Sequence, residues 1–212
     1  VIYDLSPAID AGLAVWPGDT PPSREVLLDM TRGDHLTLST LRSTVHVGAH
    51  ADAPSHVSRD GDSIEKRPLD LYLGPCRVVR LEARRGAALQ PADVAGALQG
   101  AMAPRLLIDT GTFPDPGHFN QDFAALSPAL VDDLHARGVR LVGLDSPSID
   151  LFASKDLLSH RACLRHDMAI LEGLVLAHVP EGVYELIALP LRLAGADGSP
   201  VRAILREARD GE

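Results

Sequence analysis

Three histidines and an aspartate crowd the segment Val45-His46-Val47-Gly48-Ala49-His50-Ala51-Asp52-Ala53-Pro54-Ser55-His56. His46, His50, Asp52 and His56 all carry even numbers, so an extended backbone points them to one face. A helix would also align His46 with His50. Gly48, Pro54 and the β-branched Thr44, Val45 and Val47 argue against one. A straight strand fails too: at about 3.3 Å per residue it would hold His46 and His50 roughly 13 Å apart. Donor atoms on a single ion lie about 2.0–2.2 Å from it. The chain must therefore bend between the two histidines, and Gly48 permits the bend. His50 and Asp52 can converge unaided, and Pro54 turns the chain before His56. Imidazole with carboxylate suits Zn, Mn or Fe, and the absence of a nearby cysteine argues against a structural thiolate site.

A second candidate lies far along the chain. The run Met168-Ala169-Ile170-Leu171-Glu172-Gly173-Leu174-Val175-Leu176 is apolar except for one carboxylate. A buried charge without a partner is costly, so Glu172 must be paired, neutral or bound to metal. No lysine or arginine occurs in the run. His160, in the predicted helix Lys155–Arg165, is the other distant donor. The residues alone leave both roles open.

The elements around these donors follow from local patterns. Strands are expected at Glu25–Asp29, at Thr37–Val45 (leading into the histidine segment), at Arg77–Glu82 and at Arg105–Thr110. Leu69–Leu73 precedes an expected turn at Gly74-Pro75. Pro91–Gly100 reads as a short helix. Ser127 as N-cap, Pro128 in the first turn and Gly138 after the last predict a helix over Pro128–Arg137. A buried strand, Val139–Asp145, follows at once. Val183–Leu193 and Val201–Arg206 close the chain as strands joined by a turn at 194–198. Helices interleaved with strands indicate α/β: one mixed domain over 1–212, with a central sheet or barrel-like array of strands and flanking helices. Asp145 is read as capping the turn at Ser146-Pro147-Ser148 or as a catalytic group, and Asp60 and Asp62 as solvated turn residues. His118 is read as a loop residue and His178 as structural. Gly111–Phe123 is a loop able to reach over a site. Val15–Pro22 is a rigid loop holding the only tryptophan, Trp16, which either packs over a core edge or faces an aromatic ligand.

Composition removes other classes. A net charge of −9 and the lack of any basic run disfavour nucleic acid. No apolar run approaches the ~20 residues that span a membrane. Two cysteines give no disulfide framework, and with no signal-like start this fits a reducing cytoplasm. There is no Gly-x-Ser-x-Gly elbow and no Gly-x-Gly-x-x-Gly fingerprint.

The motif His-x-Gly-x-His-x-Asp-x-Pro-x-His resembles the signature of the cyclase-like metal-dependent hydrolases, and within them the bacterial kynurenine formamidases. The likeness extends to Val15–Thr20, Tyr72–Cys76, Ala136–Ser148 and the block from Ser154-Lys155-Asp156 through Leu171-Glu172-Gly173-Leu174. It implies a two-metal site of His46, His50, Asp52, His160 and Glu172, with Zn (two per chain) as the expected metal and Mn as a further option. Two such ions, typically about 3.5–4 Å apart, activate water for attack on an acyl carbon and polarise the carbonyl. It assigns His56 the proton for the departing nitrogen, although the spacing also allows His56 as a ligand. An imidazole, with an ordinary pKa near 6.5, is suited to that work. Trp16 becomes a substrate-contacting residue. The implied reaction is hydrolysis of N-formyl-L-kynurenine, a small aromatic formamide, to L-kynurenine and formate in tryptophan degradation, by a homodimer. Asp109 departs from the pattern: relatives often carry a basic residue there, and if it serves a substrate carboxylate the specificity changes while the hydrolase reading stands. The alternatives are a related amidase or isatin-type lactam hydrolase on the same scaffold, and a non-catalytic metal- or ligand-binding protein.

Overall fold

A computed structural model describes residues 1–100 and 102–207. Its strands are β1 (Ile2–Asp4), β2 (Ser23–Leu28), β3 (Leu38–Arg42), β4 (His50–Asp52), β5 (Leu73–Arg80), β6 (Ala88–Leu89) and β7 (Arg105–Asp109). They continue with β8 (Ala125–Leu126), β9 (Leu141–Leu144), β10 (Ala169–Glu172), β11 (Gly182–Ile187), β12 (Gly198–Pro200) and β13 (Ile204–Glu207). The α-helices are α1 (Pro91–Val94), α2 (Pro128–Ala136) and α3 (Leu158–Arg165). Nine strands form one curled sheet in the order β1-β13-β11-β5-β7-β9-β10-β4-β12, giving a mixed α/β fold with few helices.

The middle of the sheet explains its composition. β5, β7, β9 and β10 run parallel, and a parallel sheet must be covered on both faces. All five residues of β7 are buried. Leu107 points into one core with Val78, Leu141 and Leu171. Leu106 and Ile108 point into the other with Val142 and Leu144. That second core is closed by α2, through Leu130, Val131 and Leu134, and by Ala162 and Cys163 of α3. The Ser127 hydroxyl caps α2 by accepting from the Leu130 N–H at 3.1 Å, a contact worth about 1 kcal/mol.

The carboxyl ends of the parallel strands are where such sheets place ligands. Asp109 ends β7, Asp145 follows β9 and Glu172 ends β10. The antiparallel strand β4 then lies beside β10 with Glu172 directly opposite His50.

Several expectations need correction. The strand before the histidine segment stops at Arg42, and His46 lies in irregular chain rather than at the end of a strand. No turn occurs at Gly74-Pro75, because β5 passes straight through it. Pairing of β5 with β7 begins only at Cys76, so the missing Pro75 N–H costs nothing on that side. The helix at Pro91 spans a single turn. The expected turn at 194–198 gives way at Gly198 to the edge strand β12, which pairs with β4.

Candidate metal centre

Gly48 adopts φ +58, and the bend brings the His46 and His50 rings to 5.0 Å between centroids. The turn is locked from the other side. Gly173 (φ +66) lies so close to the Gly48 carbonyl that an added Cβ would meet its oxygen at 2.2 Å. Beyond the bend, β4 directs His50 and Asp52 to one face. Pro54–His56 then forms a 3-10 turn that carries His56 to the same cluster.

Asp52 is the hub. Its Oδ1 lies 3.0 Å from His46 Nδ1 and 3.5 Å from His50 Nε2, and its Oδ2 lies 3.3 Å from His160 Nε2. Glu172 reaches His50 Nε2 with one oxygen and His160 Nε2 with the other, both at 3.3 Å. The structure thus brings His46, His50, Asp52, His160 and Glu172 into one cluster, and all but His46 are fully buried. Among the described residues two donor groups form, His46–Asp52–His56 and His50–Asp52–Glu172, and Asp52 belongs to both.

Two observations bear on whether a metal fits here. Both Asp52 oxygens are buried and, despite the close nitrogens, neither makes a hydrogen bond of acceptable geometry. Bonds of 2.0–2.2 Å in a tetrahedral shell separate neighbouring donors by about 3.4 Å, which is how these atoms are spaced. In addition, each imidazole has its other nitrogen occupied. His50 Nδ1 donates to the Gly48 carbonyl at 2.9 Å, His160 Nδ1 faces Asp150 Oδ2 at 2.7 Å, and His46 Nε2 faces Asp197 Oδ2 at 3.1 Å. Such outer partners fix the tautomer and aim the free lone pair at an ion. The donor set fits a divalent metal.

The cluster's electrostatics favour positive charge between its carboxylates. Burial opposes ionising Asp52, but the His160 and His46 imidazoles hold its carboxyl well below the ordinary range. Burial likewise opposes protonating His46, yet Asp52 and Asp197 raise it to about 9. Burial and the Asp52 charge oppose ionising Glu172, and His160 and His50 outweigh them. Its Oε1 also accepts from the Ile149 N–H at 2.7 Å.

Asp150 and Asp197 were not singled out by sequence reasoning. α3 begins without a side-chain cap, from Leu157 at φ +48. Asp150 takes that role from a distance, accepting from the Ser159 and His160 N–H groups as well as facing the His160 ring. No spacing rule links residues 150 and 160. Asp197 sits in a stretch that reads only as a turn.

A cavity of about 640 Å³ opens onto the cluster, lined by His50, His56, His160 and Glu172 and walled by Trp16, Phe113 and Phe119. Trp16 packs on Phe152 at 4.9 Å and against the edge of Phe119 at 5.5 Å, and it lines the cavity. The 111–123 loop does reach over the site, through Phe113 and Phe119. His118 and His178 are not among the cavity-lining residues.

Asp145 does not cap the turn that follows it. It accepts from Thr110 N–H and Oγ1 and from the Gly111 N–H, holding the neighbouring strand end. Burial, with a smaller push from Asp109, raises it from 3.8 to about 6 against those hydrogen bonds. Between these values the folded chain binds more protons than the unfolded one, so stability falls as pH rises. The displacement corresponds to about 3 kcal/mol. Urea titrations at pH 4 and pH 7 should therefore show wild type losing up to about that much relative to Asp145→Asn. A pH-independent difference would contradict it.

Residues 3–151 match the model of the Cyclase family, described as "Putative cyclase". The chain belongs to this Cyclase family. A solved structure described as a potential metal-dependent hydrolase with cyclase activity is 28% identical, with a TM-score of 0.82 and coverage of 97% of this chain and 96% of that one. A solved structure described as a predicted metal-dependent hydrolase from Bacillus stearothermophilus is 29% identical, at TM-score 0.81 and 97% coverage of each chain. Isatin hydrolase A from Labrenzia aggregata, bound to benzyl benzoate, is 22% identical at TM-score 0.84, covering 99% and 94%, and shares the fold.

Proposed function

We propose that this Cyclase-family chain is a metal-dependent amide hydrolase acting on a small aromatic formamide, N-formyl-L-kynurenine. The observation that carries the reading is Asp52, a buried carboxylate shared by two donor groups and bonded to neither. The metal-dependent hydrolases among its structural neighbours support the same class.

His46, His50, Asp52, His160 and Glu172 would hold the metal, Zn or Mn, as one or two ions. A divalent ion in such a donor set supplies Lewis acidity toward an acyl oxygen and makes water acidic enough to act as a nucleophile near neutral pH. The chain's own residues do the rest. Trp16, Phe113 and Phe119 seat an aryl ring edge-on or stacked. His56 stands at the cavity with Nδ1 3.4 Å from Asp197 Oδ2, which leaves Nε2 to hand a proton to the departing aryl nitrogen. Lys155 also lines the cavity and is its cationic contribution toward a substrate carboxylate.

Asp109 favours a second reading. It lines the cavity, is buried, and takes the Arg80 Nε–H at 2.7 Å. The strand end where relatives often carry a basic residue thus holds a carboxylate, ion-paired with Arg80. A substrate lacking a carboxylate, such as an isatin-type lactam, suits that carboxylate better.

Metal analysis combined with turnover of N-formylkynurenine and of isatin, before and after chelation, tests both readings. Chelator-sensitive turnover of the formamide supports the first, and of isatin alone the second. Protein prepared with care that takes up no metal would remove both.

Two further expectations belong to this reading. A homodimer is supported by the β2–β3 ribbon, a two-stranded sheet apart from the main one, which exposes Leu27, Leu38 and Leu41. Light scattering that returns a monomer mass would contradict it. Cytoplasmic residence is supported by Cys76 and Cys163, both free and buried. Among the described residues no helix is long and apolar enough to cross a membrane.

A further inference from the structure

All four phenylalanines of the chain and its one tryptophan stand together beside the large cavity. Trp16 meets Phe119, Phe123 and Phe152 at 5.5, 6.2 and 4.9 Å between ring centroids. Phe113 meets Phe119 and Phe123 at 5.7 and 6.4 Å. Trp16, Phe113 and Phe119 line the cavity, and Phe123 is fully buried. Three of the five rings come from the 111–123 loop, so the shape of this wall depends on where that loop is held.

The loop is fastened at its tip and at its feet. At the tip, the Ala14 N–H donates to the Pro116 carbonyl at 2.9 Å and joins it to the loop of Trp16. At the feet, the small parallel pair β6–β8 runs on beyond its strands. The Ala125 N–H donates to the Ala87 carbonyl at 3.2 Å, and the Gly86 N–H to the Asp122 carbonyl at 2.6 Å. Arg85 adjoins this ladder and spans both feet with one nitrogen. Its Nη1 donates to the Thr112 carbonyl at 3.1 Å and to Asp122 Oδ1 at 3.0 Å. Asn120 Nδ2 donates to the same two acceptors at 3.1 and 2.9 Å. Asn120 belongs to the loop and closes it on itself. Arg85 belongs to the segment between β5 and β6, and it ties the closed loop to the main sheet. It is not among the residues lining the large cavity, so any effect it has on a ligand there runs through the loop.

We propose that Arg85 is a positioning residue for substrate specificity: by bridging Thr112 and Asp122 it holds Phe113 and Phe119 where they and Trp16 seat an aryl ring. Ring contacts of this kind operate at centroid distances of about 4.5–7 Å, so a small shift of the loop's feet is felt at the wall. The clamp thereby favours aryl over non-aromatic amides. The inference rests on the reading of the cavity as the seat of an aryl formamide.

Trp16, as the sole tryptophan, reports on the wall directly through its emission. The test compares hydrolysis of formanilide, an aryl formamide, with that of N-methylformamide, which has no ring. Arg85 and Asp122 have side chains 44% and 58% accessible, so replacing either leaves the core intact. Arg85→Met should shift Trp16 emission to the red and raise the KM for formanilide about three- to fivefold with kcat nearly unchanged, the size expected of an exposed charge pair. Its kcat/KM for N-methylformamide and its metal content should match wild type. Asp122→Ala should behave in the same way. Arg85→Lys should restore most of the loss, because both bonds come from a single nitrogen and an ammonium carries enough donors for the two acceptors. A merely structural role would lower both substrates alike and would not be rescued in this pattern. Wild-type emission and formanilide KM in both Arg85→Met and Asp122→Ala would overturn the proposal, as would equal losses on the two substrates. Failure of wild type to hydrolyse either formamide would instead overturn the formamidase reading. Quenching of Trp16 by formanilide would then decide the clamp, with weaker binding in the two variants supporting it and equal binding overturning it.

Discussion

Asp52→Asn should yield a folded protein that no longer retains a divalent ion through dialysis and turns over substrate roughly a thousandfold slower or worse. The size follows from the hub geometry. Asp52 alone joins both donor groups, and three imidazole nitrogens lie within 3.5 Å of its two oxygens. An amide of the same shape keeps one oxygen but turns an –NH2 toward either His46 Nδ1 or His160 Nε2, whose lone pairs are held in place by Asp197 and Asp150. If Asp52 is the ligand shared by the whole site, losing it removes several kcal/mol of Lewis-acid stabilisation, which is about a thousandfold or more in rate. The fold should survive because the sheet around β4 is held by backbone pairing to β10 and β12, which the substitution leaves alone. Elemental analysis and a thermal melt with and without added ion read both parts. Retention of the full wild-type metal content with near-wild-type turnover would sink the hub assignment.

Why the sequence shows Asp52 so clearly, and its supporting residues so poorly, is a matter of distance along the chain. His50 and Asp52 are two apart on a strand, and the glycine that must bend the chain lies between His46 and His50. Period, parity and backbone freedom are local properties, and all are visible in twelve residues. Glu172 is legible for a different reason: a charge in an apolar run must find a partner somewhere, though which partner depends on register. Its partners are His160 and His50, the latter directly across from it on the neighbouring strand.

The central helix–strand alternation is legible on the same local grounds, as Ser127, Pro128 and Gly138 around α2 show. β12 is not. Gly198, Ser199 and Pro200 have no strand character of their own, and they become a strand because β4 offers an edge to pair with. An edge position is also where a strand tolerates proline. This pairing places Asp197 beside His46 and His56. Asp150 was illegible likewise, since it caps α3 from beyond the irregular chain of residues 151–157. Outer partners of this kind are set by tertiary packing, so their identity becomes visible only with the fold.

Those outer partners sharpen the last expectation. His56→Ala should keep its metal and still lose turnover by a factor of about 10²–10⁴, the range for removing a general acid or base. His56 is more exposed than the five cluster residues, with its side chain 31% accessible, and it lines the large cavity. Its ring lies 4.3 Å from His46 and 5.9 Å from His160. That is close enough to act on a bound acyl group, and also close enough to compete as a ligand in the His46–Asp52–His56 group. Asp197 separates the two roles. It faces both His46 Nε2 and His56 Nδ1, so Asp197→Asn disturbs a ligand and the acid together, whereas His56→Ala removes the acid alone. If His56 carries the proton, His56→Ala flattens one limb of the pH–rate profile and binds Co(II) as wild type does, while Asp197→Asn changes both the profile and the affinity. Loss of metal from His56→Ala would make it a ligand, and the departing nitrogen would need its proton from another group at the cavity.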